Sequence, residues 1–434
     1  MKDRAKANFL VLFLVLSGAV TMSACFSGVA CQPEGGSAFK IGKPLLHAAA
    51  TGTSSCASTS TSTCTSGLTP SNVLYTVDPS GNILEYAISS TDGSLTLMCQ
   101  PTAIKTAADA QLVVSNNSSF LYAFDPAGSQ ISGFVIGHAA SEGSLTPITG
   151  VAPFMITSPQ GAALSTAGLT FLQADPLGRF LFINDFNNSL VYVFTINAST
   201  GAIAAATNSP FSGLASSPTF VAVDNSGSFM FAADPKDGEI SILNVSATTG
   251  ALNKNANSPF LIASGTADFP HFVVVHPSKS ILYSANNTSI TAYTFDASGA
   301  LQIVPGTPVS TQTIEPGMLA IDSTAAFIYS TDASTGNSGI IGNTIDPTTG
   351  AVSQSLVPNA PYAPIASALL NTVNLNLVTN PAGPNLYSLQ IPPTSTTGGV
   401  VDNYPITISS GQLTPPTTQS TLAANNNMVV ASVK

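Results

Sequence analysis

The chain of 434 residues is 44% apolar but only 7% charged, against about 25% charged in an ordinary soluble domain, so its polar surface must be built from Ser, Thr, Asn and Gln. So large an apolar fraction excludes a disordered chain. The formal charge is −10, and −12 after residue 24 (eight basic against twenty acidic residues), which excludes nucleic acid as a partner and argues against an anionic membrane face, since both need clustered Lys and Arg.

Lys2, Arg4 and Lys6 precede an apolar run of 12 residues at 9–20, FLVLFLVLSGAV. The run is too short to cross a hydrocarbon core of about 30 Å and reads as the middle of a signal peptide over residues 1–24. Met22-Ser23-Ala24-Cys25 resembles the lipobox of bacterial lipoproteins, which implies lipidation of Cys25. An ordinary signal peptide cut nearby, with Cys25 a plain thiol, is the other reading. Both export the chain. The expectation is a lipoprotein of the cell envelope, in the periplasm or on the outer surface, that touches the membrane only through its anchor. Phe26 stands where some lipoproteins carry the Asp of inner-membrane retention, which favours an outer membrane where there are two.

Residues 25–70 read as a Ser/Thr/Gly-rich tether. Cys31, Cys56, Cys64 and Cys99 make an even number in an exported chain, which suggests two disulfides with three pairings open. Cys56 and Cys64 flank ASTSTST, where a small staple fits. No CxxC is present, so the spacing does not suggest zinc.

From residue 71 onward one unit repeats. A Gly turn leading to an aliphatic residue occurs at Gly93, Gly143, Gly201, Gly250, Gly299, Gly350 and Gly411, with spacings of 50, 58, 49, 49, 51 and 61. Before each turn stands an alternating segment: ILEYAI, ISGFVI, LVYVFTI, ISILNV, ITAYTF, IIGNTI and VDNYPI. Earlier still, a short run ends in Tyr75, Tyr122, Phe182, Phe231, Tyr283, Tyr329 or Tyr387. Period-two alternation of β-branched and aromatic residues between turn formers predicts strands, and helical spacing is not sustained after residue 24.

Each unit therefore predicts four antiparallel strands, and seven units predict an all-β, seven-bladed β-propeller over residues 71–434. The first unit begins directly on its second strand. After the last unit the chain continues through Asn427-Met428-Val429-Val430-Ala431-Ser432-Val433. This segment is predicted to be the inner strand of the first blade, closing the ring.

The pattern of aromatic strand, aliphatic third strand and Thr-Gly-x-Leu turn resembles the lactonase family of seven-bladed propellers, relatives of 6-phosphogluconolactonases and carboxymuconate cyclases. Phe182-Ile183-Asn184-Asp185 through Thr200-Gly201 and Asn208-Ser209-Pro210-Phe211 is the fullest copy, and Thr249-Gly250 with Asn257-Ser258-Pro259-Phe260 a second. The resemblance implies a Gly-Pro-Arg-His stretch leading into an inner strand. Here the stretch is Phe269-Pro270-His271-Phe272, so His271 replaces the family's Arg and Phe272 its His, and the preceding blade has Ser217-Pro218-Thr219-Phe220. These departures weigh against lactone hydrolysis.

The blade register places His271, Asp185, Asp234, Lys236, Asp237, Asn286 and Asp332 on one face, with His276 and Arg179 on the other. Asp185, Asp234, Asn286 and Asp332 each follow a blade aromatic by three residues. As a ligand-binding set with His271 they offer oxygen ligands to a sugar's hydroxyls or to a cation such as calcium; as turn formers they cap local N–H groups. His271 is the one candidate general base, with Asp234 or Asp332 to orient it. No nucleophile-elbow, phosphate-loop or zinc-protease motif occurs. The leading expectation is a non-catalytic binding or scaffold protein of the envelope, without a cofactor, that holds an envelope protein, a glycan or a small carbohydrate. The alternative is a divergent hydrolase of an uncharged sugar lactone.

Overall fold

The computed structural model describes Thr65 and most of residues 68–433; segments such as 99–105, 157–168, 263–267, 333–338, 363–372 and 392–398 fall outside the description. The signal peptide, Cys25, the tether and all four remaining cysteines lie outside the described residues.

Seven separate antiparallel sheets follow one another along the chain. Blades 1 to 7 are built on second strands Asn72–Val77, Phe120–Asp125, Phe180–Asp185, Phe229–Asp234, Ile281–Asn286, Phe327–Asp332 and Asn385–Ile391. Blade 4 shows the plan: inner strand Phe220–Val223, then Phe229–Asp234, Glu239–Val245 and the outer Leu252–Lys254. Inner strands of successive blades pack on one another right round the ring.

The carboxy-terminal strand Met428–Ser432 pairs antiparallel with Asn72–Val77, from Asn72↔Ser432 to Thr76↔Met428. It is the inner strand of blade 1, as the sequence predicts. Val433 N–H extends the ladder to the Ser71 carbonyl at 2.9 Å.

Two repeated sequence signals meet physically across the blade junctions. The Tyr75 hydroxyl of blade 1 donates to the Gly143 carbonyl of blade 2 at 2.6 Å. Tyr122 reaches Gly201, Tyr283 reaches Gly350, Tyr329 reaches Gly411, and Tyr387 of blade 7 reaches Gly93 of blade 1. All five tyrosines are fully buried, where a phenol needs a partner. At the other two junctions the aromatic is Phe182 or Phe231, and the turn glycines Gly250 and Gly299 rest on the rings of Phe180 and Phe229.

The outer strand differs from the single strand that the sequence predicts. In blades 2 to 5 it is split into two short segments that both pair with the third strand. In blades 3 to 5 a hydroxyl bridges the gap. Val193 N–H donates to Ser209 Oγ at 2.8 Å and Ile242 N–H to Ser258 Oγ at 2.9 Å, with Ala292 N–H and Thr307 Oγ1 in the same place. The side chain thus takes the acceptor role that a backbone carbonyl would fill in a continuous ladder.

Strand direction gives the ring two rims. Inner strands begin and second strands end on the upper rim; inner strands end on the lower one. Lower-rim turns are capped by buried side chains: Asp224 Oδ1 accepts Ser228 and Phe229 N–H at 2.7 and 2.6 Å, and Asp322 Oδ1 repeats this with Ala326 and Phe327.

Candidate functional site

The strand registers bring every residue singled out for ligand binding to the upper rim. Asp185, Asp234, Asn286 and Asp332 end four successive second strands. Pro270 faces Asn286 and Pro316 faces Asp332, so His271 begins an inner strand on the same rim.

Three of these side chains face inward and serve the turns beside them. Asp185 is 2% exposed and accepts Asn188 N–H at 3.0 Å and Asn188 Nδ2 at 2.9 Å. Asp234, fully buried, accepts the N–H groups of Lys236 and Asp237 at 2.9 and 3.1 Å. Asn286 accepts from Ser284 Oγ at 2.8 Å and donates to Ser289 Oγ and Thr291 Oγ1 at 3.0 and 2.8 Å. The side chain of Asp332 lies outside the described residues. Burial raises the Glu239 carboxyl, with Asp234 and Asp237 adding to it and Lys254 opposing. Among the described residues no three of His, Cys, Asp and Glu are grouped to hold a metal.

His271 stands at a register shift between Pro270 and Phe272. Such a bulge re-aims a side chain that the regular ladder would point elsewhere. The half-buried ring places Nε2 2.5 Å from the Pro316 carbonyl of blade 6. A carbonyl can only accept, so Nε2 carries the proton. Burial lowers the pKa, against the opposing pull of the Pro316 and Phe269 carbonyls and the Asp268 charge. No hydrogen bond joins His271 to Asp234 among the described residues.

Bonds from side chain to backbone link consecutive blades near this rim. Leu172 N–H donates to Gln111 Oε1 across blades 2 and 3 at 3.0 Å, and Asn184 Nδ2 to the Pro218 carbonyl across blades 3 and 4 at 3.0 Å. Thr219 Oγ1 donates to the His271 carbonyl at 2.9 Å, and His271 continues to Pro316. His271 is one member of this girdle. Sequence reading met Thr219 only as the blade 4 counterpart of His271, and it missed Gln111 and also Asp268, which accepts Thr288 N–H at 2.6 Å and the Ser289 hydroxyl. Neither Gln111 nor Asp268 stands at a repeated motif position.

Arg179 and His276 occupy the lower rim. Arg179 pairs with buried Asp175 at 2.8 Å and reaches the Gly227 carbonyl of blade 4 at 3.0 Å. His276 is 2% exposed and its Nδ1 accepts Ser278 N–H at 3.1 Å, a bond that requires an unprotonated Nδ1. Burial, then Lys279, lowers its pKa. His271 and His276 therefore bind fewer protons folded than unfolded. Their contribution to stability is full above about pH 6.5 and falls as the pH drops below it. His276→Gln should lose part of the wild-type fall in melting temperature between pH 7.5 and 5.5; an unchanged fall would remove His276 from the account.

No curated protein sequence matches the chain. Among solved structures the chain is similar to a candidate 6-phosphogluconolactonase from Bacteroides fragilis, at 16% identity and TM-score 0.62 over 83% of this chain and 98% of that one. A Bacteroides uniformis counterpart gives 14% and 0.63 over 83% and 100%. The periplasmic gluconolactonase of Pseudomonas aeruginosa gives 13% and 0.62 over 84% and 99%. At these identities the likeness is one of fold. Residues 148–266 match the profile of the lactonase family described as a 7-bladed β-propeller. With seven four-stranded blades in one ring, the chain is a seven-bladed β-propeller that matches the lactonase family over residues 148–266.

Proposed function

We propose that the protein is an exported, lipid-anchored propeller whose upper rim binds an uncharged, hydroxyl-rich ligand of the cell envelope without turning it over. The observation that carries this reading is His271, whose Nε2–H is engaged by the Pro316 carbonyl rather than free to serve a reacting group. Export and anchoring rest on the amino-terminal sequence, and the carbohydrate class on a rim built of amide and hydroxyl groups with little net cation. Arg179, the sole arginine after residue 24, is held by Asp175 on the other rim, which disfavours a phosphorylated ligand.

A second reading is hydrolysis of an uncharged sugar lactone. It is favoured by the family match over residues 148–266 and by the neighbour that is named a periplasmic gluconolactonase. One experiment separates the two: hydrolysis of a panel of neutral sugar lactones by the chain from residue 26 onward, with His271→Ala beside it and spontaneous opening as the baseline. The binding reading expects both proteins to stay at the baseline. Turnover above it that is lost in the variant would overturn that reading and make His271 catalytic. Turnover that survives the variant would equally establish a hydrolase, with its chemistry elsewhere.

A further inference from the structure

The upper ends of the inner strands share one layer, which the strand registers define. Each member faces the residue two places after its blade's aromatic. Gln111 faces Phe124 in blade 2, Phe171 faces Asn184 in blade 3 and Phe220 faces Ala233 in blade 4. Phe272 faces Ala285 in blade 5, and Asn376 faces Leu389 in blade 7. In blade 6 the same place falls within a register shift that holds Met318, whose N–H donates to Thr331 Oγ1 at 2.9 Å. The register also shifts at this level in blades 3, 5 and 7. Four irregular strand entries at one level, all on the upper rim, are what a sheet shows where side chains are re-aimed, commonly beside a binding site.

The layer is split by chemistry. Blades 3 to 6 supply Phe171, Phe220, Phe272 and Met318, whereas blades 7 and 2 supply the amides Asn376 and Gln111. The rings of Phe220 and Phe272 pack with centroids 3.8 Å apart at an angle of 35°. Phe272 is 7% exposed, but Phe220 is only half-buried. Because Phe220 begins its inner strand, the uncovered part of its ring lies at the upper mouth of the central channel. On the amide side Gln111 Oε1 is taken by Leu172 N–H. Asn376 is 7% exposed, and its Oδ1 has no hydrogen-bond partner among the described residues. A buried acceptor left unpaired has lost its bonds to water and costs stability, so it favours a donor from outside the chain.

We propose that this layer seats a neutral sugar ring, with the C–H face of the ring on Phe220 and a hydroxyl donating to Asn376 Oδ1. The inference rests on the reading of the upper rim as a site for an uncharged, hydroxyl-rich ligand, and it names the groups that grip that ligand. A pyranose has an apolar face of C–H bonds and an equator of hydroxyls. The negative face of a phenyl ring attracts such hydrogens, and a few placed polar groups in an apolar wall fix the orientation. A wholly apolar ligand leaves Asn376 unpaired. A charged one meets no counter-charge, since none of the six side chains of the layer is ionic. The His271 contact with Pro316 stands at the same level and braces the wall between blades 5 and 6.

The test is binding of a panel of neutral sugars, methyl β-D-glucopyranoside and N,N′-diacetylchitobiose among them, to the full chain. Calorimetry gives the dissociation constant, and saturation-transfer NMR gives the ligand hydrogens that touch the protein. At least one sugar should bind, with transfer concentrated on the ring hydrogens of one face. Phe220→Leu keeps apolar bulk and removes the ring face, while Asn376→Leu keeps the volume and removes the acceptor. Each should weaken binding about three- to tenfold. Asn376→Leu should also melt no lower than the wild type, because it removes an unpaired buried acceptor. The transfer pattern needs no variant, so it decides alone if Phe220→Leu does not fold. Equal binding by both variants, or transfer spread over both ring faces, would overturn the layer as the seat and leave the rim reading standing. Binding of no sugar in the panel would overturn both. An Asn376→Leu chain that melts well below the wild type would give Asn376 a structural role and overturn the proposal as well.

Discussion

A chain ending at Ala424, the last residue of the outer strand of blade 7, should lose the single cooperative melt of the full protein. The removed segment contributes Met428, Ala431 and Val433, all within 1% of complete burial. It also covers the free edge of Asn72–Val77 over five paired positions. Two large apolar side chains at about 1.5–3 kcal/mol each already approach the lower end of a domain's total stability, about 5–15 kcal/mol. The loss spreads beyond the strand itself. Met428 belongs to the cluster of Leu74, Tyr86, Ile88, Tyr387, Leu389 and Val401, so the face between blades 7 and 1 opens as well. Far-UV circular dichroism across a thermal scan measures the outcome. A broad early transition supports closure by this strand, and an unchanged single transition would mean that the Tyr387–Gly93 contact suffices.

The fold was legible because the sequence repeats the parts that touch. An aromatic and a glycine turn keep step along the chain since one blade's aromatic packs on the next blade's turn, as Tyr122 does on Gly201. The orphan strand was legible for the same reason: a first unit without an inner strand and a last segment without a blade complete one another. The split outer strand was harder to see. Ser209 and Ser258 read as turn residues, and only the register shows their hydroxyls filling a gap in the ladder.

The rim was legible by position and much less so by role. Counting three residues on from each blade aromatic places Asp185, Asp234 and Asn286 correctly, but sequence does not say which N–H groups a turn will aim at a side chain. His271 stood out as a departure from a family pattern. Its bond to Pro316 depends on a one-residue register shift, and a slip of one residue sends a strand side chain to the other face.

Gly201→Ala should lower stability far more than Gly178→Ala, although both glycines have φ of +71°. That backbone conformation alone costs an L-residue about 1–2 kcal/mol, and at Gly178 nothing lies within 4 Å of the added carbon. At Gly201 the same carbon would come within 2.5 and 2.6 Å of Phe120 ring atoms and 2.8 Å of Ile148. Phe120 is 5% exposed and sits beside the Tyr122 ring, so it has little room to withdraw. Overpacking of this kind adds about 1–3 kcal/mol, and displacing the turn also weakens the Tyr122 bond to the Gly201 carbonyl, worth about 1 kcal/mol. For a ring of this size each kcal/mol moves the midpoint by about 2 °C or somewhat less. Gly201→Ala should then melt about 4–10 °C lower, against about 2–4 °C for Gly178→Ala. Equal losses would mean that the backbone conformation carries the whole effect. A larger loss at Gly201 places the difference in the contact between blades 2 and 3, the same contact that the repeat carries round the ring.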